Sequence, residues 1–85
     1  MNKEPTFEEG PFFLIKAGIY PSVGQRHIIW ATDEDTARSV YERKLNLSTS
    51  YCTVSHIGDL KALRDSFRLS TSQIADLHRE GYLRL

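Results

Sequence analysis

The spacing of apolar and polar residues changes between Arg26 and Leu45, and the change divides a strand from a helix. Arg26 to Ala31 (R-H-I-I-W-A) is β-branched and aromatic, the composition of a strand. Its apolar residues fall on both faces, Ile28 and Trp30 on one and His27, Ile29 and Ala31 on the other, which predicts a strand covered on both sides. Thr32 or Asp33 then offers an oxygen to the first free N–H groups of a helix. Asp33, Glu34 and Asp35 suit the positive end of its dipole, and Arg43 and Lys44 suit the negative end. Ala37, Val40, Tyr41 and Leu45 lie along one face of that helix, which runs from Asp33 to about Asn46, a residue that tolerates a left-handed cap.

The same reasoning divides the rest of the chain. Met1 to Gly10 is polar and acidic and reads as a flexible arm. Phe12 to Tyr20 reads as a first strand bounded by Pro11 and Pro21, with Phe13, Ile15, Ala17 and Ile19 on one face and Phe12, Leu14, Lys16 and Tyr20 on the other. Pro21 to Gly24 has turn chemistry and makes a hairpin with the strand at Arg26. After a Ser48-Thr49-Ser50 linker, Tyr51 to Ile57 reads as a third strand broken by Gly58. Asp59 caps a short helix to about Phe67 with a buried stripe of Leu60, Leu63 and Phe67. Ser70 or Thr71 caps a last helix through Arg79 with Ile74 and Leu77 inward. Gly81 ends it, with Tyr82 expected to fold back on Leu77. Tyr82 to Leu85 reads as either an edge strand or a frayed end.

The expected fold is therefore a single α+β domain over residues 11–85, in the order β-β-α-β-α-α. It has a small three-stranded, mainly antiparallel sheet in the order 2-1-3, one main helix packed on it and two short C-terminal helices. Trp30→Ala or Val40→Ala is expected to cost about 2–5 kcal/mol as a core truncation.

Composition narrows the function classes. The 85 residues hold 11 Lys and Arg against 11 Asp and Glu, so no global attraction to nucleic acid or an anionic membrane is expected. The charges are uneven along the chain: residues 1–35 hold three basic and six acidic side chains, and residues 36–85 hold eight and five. The single cysteine, Cys52, forms no internal disulfide, and with an N-terminus lacking an apolar signal segment this points to the cytoplasm. The longest apolar run, Phe12 to Ile15, is far short of the roughly 20 residues of a membrane helix.

Motifs for chemistry are sparse. His27, Cys52, His56 and His78 form no metal-ligand spacing: Cys52 and His56 share a strand face but lie about 13 Å apart along an extended chain. Cys52 with His27 or His56 is the one nucleophile–base candidate, and a cysteine on a strand is more often a small apolar residue. The carboxylate clusters Glu8/Glu9 and Asp33/Glu34/Asp35 sit in an arm and at a helix start. No phosphate-binding glycine loop or nucleophile elbow is present. The expectation is no catalytic activity, no metal and no cofactor.

Binding is what remains. Lys61, Arg64 and Arg68 are spaced along one helical face as a candidate nucleic-acid stripe. The segment Phe67 to His78 (F-R-L-S-T-S-Q-I-A-D-L-H) resembles the first half of a helix-turn-helix, but Gly81 interrupts the pattern where a recognition helix should follow. If the last two helices leave one sheet face open, that face is a partner or homodimer surface. The expected function is to hold another protein as an inhibitor, adaptor or regulator. Phe12, Tyr20, Arg64, Arg68 and Tyr82 are the contact candidates, since exposed aromatic and arginine side chains dominate interfaces. In size and pattern the chain is similar to small phage and mobile-element proteins that inhibit or redirect a larger assembly, a likeness of class alone. Nucleic-acid binding through the C-terminal helices, or a homodimeric structural role, is the alternative.

Overall fold

The computed structural model describes residues 6–18, 24–46 and 52–85. The order is β1 (Phe12–Lys16), β2 (Arg26–Trp30), α1 (Glu34–Leu45), β3 (Thr53–Gly58), α2 (Leu60–Ser66), α3 (Thr71–Glu80) and β4 (Tyr82–Arg84). The sheet has four strands in the order β3-β1-β2-β4, every neighbouring pair antiparallel. The expected 2-1-3 arrangement is present within it. The three-strand expectation is corrected by Tyr82–Arg84, which pairs with His27–Ile29. The first strand is shorter than expected: it ends at Lys16, where Ala17 bonds Gln25 and Gly24 bonds Ala17 across the hairpin.

Helix boundaries follow local chemistry. The Asp33 carboxylate accepts from the Thr36 N–H at 2.7 Å, and Asn46 closes α1 in the left-handed conformation. Asp59 caps α2 through the Ala62 N–H. Ser70 and Gln73 form a reciprocal capping box on α3. The Gly81 N–H donates to the Leu77 carbonyl at φ 82°. Tyr82 does not fold back on Leu77: strand alternation turns it to the α1 side of the sheet, whereas Leu77 belongs to the other side.

The chain crosses the sheet on one face with α1 and returns on the opposite face with α2 and α3. Against α1, Phe13, Ile15, Ile29 and Ala31 pack with Ala37 and Tyr41. Against α2 and α3, Phe12 and Ile28 pack with Leu63 and Leu77. Both sheet faces are thus covered by the chain itself, which accounts for strands that are apolar on both sides. Thr6 to Gly10, expected to belong to the arm, form a hydrogen-bonded turn. Phe7 of that turn lies edge-on to Phe12 and Trp30 and stacks on His78 at 4.5 Å.

Candidate functional site

Strand direction decides where the charges go. In the registers, Phe12 lies opposite Trp30 and Gly58 at one end of the sheet, and Lys16 lies opposite Arg26 and Thr53 at the other. The first end receives the starts of α1 and α2, the end of α3 and the Thr6–Gly10 turn. It therefore collects Glu8, Glu9, Asp33, Glu34, Asp35, Asp59 and Glu80. The second end holds Lys16, Arg26 and Arg84 on the strands, Arg43 and Lys44 in the last turn of α1 with the exposed Glu42 beside them, and Arg68 beyond α2. A twelve-residue α1 spans about 18 Å, so the ends are separated by roughly that distance. The uneven charge of the sequence becomes a polarity in space.

The cations differ in their partners. Arg38 pairs with Glu34, Lys61 with Asp65, and Arg79 with Asp76 and Glu80. Lys16, Arg26, Arg43, Lys44, Arg68 and Arg84 make no ion pair among the described residues, and neither does Arg64 on α2. Residues 19–23 and 47–51, which lie outside the described residues, contain no charged side chain.

The residues singled out from the sequence are scattered by this fold. Phe12 is fully buried under α2 and α3, so it presents no contact surface. Tyr82 is half-buried against the α1-side core. Arg64 and Arg68 are exposed, and Tyr20 lies outside the described residues. The Lys61–Arg64–Arg68 stripe is interleaved with carboxylates: Lys61 and Arg64 line an open cleft of about 390 Å³ together with Glu8, Asp59, Leu60 and Asp65. That cleft mixes both signs of charge and contains no hydroxyl, thiol or imidazole side chain among its lining residues. The cations gathered at the sheet end were not grouped by the sequence reading, because Lys16 and Arg84 are 68 positions apart and only pairing through β2 brings them together.

The nucleophile–base candidate spans three strands. His27 is on β2 and Cys52 just precedes β3, with β1 between those strands. Their main chains lie about two strand spacings, near 10 Å, apart, and Tyr41 neighbours both side chains. His56 instead lies edge-on to Phe13. Among the described residues no group of three or more potential ligands is arranged for a metal. No described helix is long and apolar enough to cross a membrane.

Two buried polar groups remain. The Tyr41 hydroxyl is sealed in the core without a well-formed hydrogen bond, and burial together with the neighbouring Cys52 thiol, a weak partner, pushes its pKa up to about 12. His27 is 3 % exposed, its Nδ1 has no partner, and its ring lies edge-on to Tyr41 at 5.6 Å. Burial lowers the His27 pKa, and the Arg84 charge lowers it further. The unfolded chain therefore binds a proton at His27 at higher pH than the folded chain does. Stability is expected to fall as pH drops below about 6.5, the ordinary histidine value, and to level off once pH passes the folded value. His27→Phe should flatten this acid limb in urea titrations between pH 8 and 5; an unchanged limb would assign it to other groups.

No protein-family model matches the chain, and neither a curated protein nor a solved structure does.

Proposed function

We propose that this chain is a non-catalytic binding module that holds another protein, as an inhibitor, adaptor or regulator, and presents its cationic end to an acidic surface of that partner. The observation that carries the reading is where the unpaired cations lie: seven make no ion pair among the described residues, and six of them, all but Arg64, gather at one end, while Arg38, Lys61 and Arg79 elsewhere are paired. An unpaired charge cluster adds little to folding, but it steers encounter and rejects like-charged partners. The acidic opposite end works against a long polyanion that would run past both ends, and favours a partner of limited extent.

Affinity capture from the native cell is expected to recover a protein partner at physiological salt. Reversing Arg26 and Arg84 to Glu should lose it, while reversing Lys61, whose charge is already paired with Asp65, should not. The same cations support a second reading, binding of nucleic acid. That reading predicts affinity for a duplex oligonucleotide that falls with salt at a log–log slope of about −0.9 per phosphate neutralised. Oligonucleotide binding at about 0.15 M salt, with no protein captured, would replace the first reading by the second.

A further inference from the structure

We propose that the outer edge of β3 pairs antiparallel with β3 of a second copy of this chain, so that two four-stranded sheets join into one across a two-fold axis. This goes beyond the partner-binding reading and does not depend on it.

The two edges of the sheet are guarded unequally. β4 is three residues long and ends in Arg84, and short, charged edges resist pairing. β3 is six residues long, Thr-Val-Ser-His-Ile-Gly, with no lysine, arginine, carboxylate or proline. Among the described residues its inner side pairs with β1, and no main-chain group bonds its outer side. The irregularity in the β1–β3 register is confined to the far end, opposite Phe12 and Phe13, which leaves Thr53 to His56 regular. Such an edge is a template for strand addition.

The polarity of the domain selects the occupant. β3 runs from the cationic end, where Thr53 lies beside Lys16, to the acidic end, where Gly58 leads into Asp59. Antiparallel pairing of two copies sets the cationic end of each beside the acidic end of the other; parallel pairing would set like charges together. With the axis near Ser55 and His56, Lys16 of one copy stands about two strand spacings, near 10 Å, from the strand end that carries Asp59 in the other. That distance is comparable to the screening length of about 10 Å at 0.1 M salt. The symmetry closes the assembly, because each copy uses the same edge. The joined sheet then exposes only its two β4 edges, which are the guarded ones. Arg26 and Arg84 lie on the β4 side, away from the axis.

Sedimentation and light scattering of the full chain, at low and high salt, test this. The expected result is a dimer that weakens as salt rises. Its Thr53–Gly58 amides should gain hydrogen-exchange protection with protein concentration. Ser55→Lys, at an exposed position, should give a folded monomer by circular dichroism. Lys16→Glu, which sets a carboxylate toward Asp59 of the other copy, should weaken the dimer, and more at low salt than at high. If Ser55→Lys does not fold, concentration-dependent protection of β3 in the unaltered chain still decides the matter. A monomer at all concentrations, a dimer indifferent to Ser55→Lys with β3 unprotected, or a mass that grows beyond the dimer would each overturn the proposal.

Discussion

Phe12→Ala is expected to lower the free energy of unfolding by about 3–5 kcal/mol, the range for removing a fully buried aromatic side chain. Phe12 has no solvent exposure, packs with Ile28, Leu63 and Leu77, and meets Phe7 edge-on at 5.2 Å. It is where β1, α2, α3 and the Thr6–Gly10 turn converge, so the cavity left behind has several walls that cannot collapse together. Against a total stability of about 5–15 kcal/mol, and nearer the lower figure for so short a chain, the loss removes much of the margin. Urea unfolding should show the midpoint fall with little change in slope. Trp30 and Val40, to which the sequence reading assigned effects of this order, are half-buried and should cost less. A Phe12→Ala protein of unaltered stability would mean that α2 and α3 do not cover this face.

Gly10→Ala is expected to be the most damaging of the small substitutions. Gly10 is buried at φ +73°, and a Cβ there would stand 2.7 Å from the Gly58 carbonyl oxygen. The left-handed backbone costs an L-residue about 1–2 kcal/mol. Relief of the clash requires main chain to move, not a side-chain tip, and overpacking of that kind costs about 1–3 kcal/mol more. The displaced oxygen belongs to the last residue of β3, so the damage should reach the strand. Hydrogen exchange is expected to report loss of protection in β3 and at the Leu60 N–H, which bonds the Glu8 carbonyl at 2.9 Å. Gly24→Ala, at φ +86° but with open space around the new methyl group, should cost only the backbone term.

The hairpin, a cap at Thr32 or Asp33, the left-handed Asn46, the Asp59 cap and a cap at Ser70 or Thr71 were legible in the sequence; the structure chose Asp33 and Ser70 and added the reciprocal bond from Gln73. Each cap depends on residues within four positions of one another, and short-range sterics and hydrogen bonding decide it; the hairpin joins residues from ten (Lys16 and Arg26) to eighteen positions apart, and was legible from two apolar runs on either side of turn residues. The double-sided apolar pattern of Arg26–Ala31 likewise said that the strand is covered twice, but not by what. The fourth strand was ambiguous because three residues have no intrinsic preference strong enough to make them a strand; pairing with β2 does so.

What only the tertiary structure decided is which face each helix covers and which end of the sheet each charge reaches. Crossing on one face with α1 and returning on the other with α2 and α3 buries Phe12, which from its type alone suits an interface as well as a core. The same path carries Lys16, Arg26 and Arg84 to one end and Glu8, Asp33 and Asp59 to the other. Periodicity reports the environment of a residue relative to its near neighbours. Cover, strand order and charge polarity are set by contacts between residues tens of positions apart, whose free energy exists only once the chain has closed on itself.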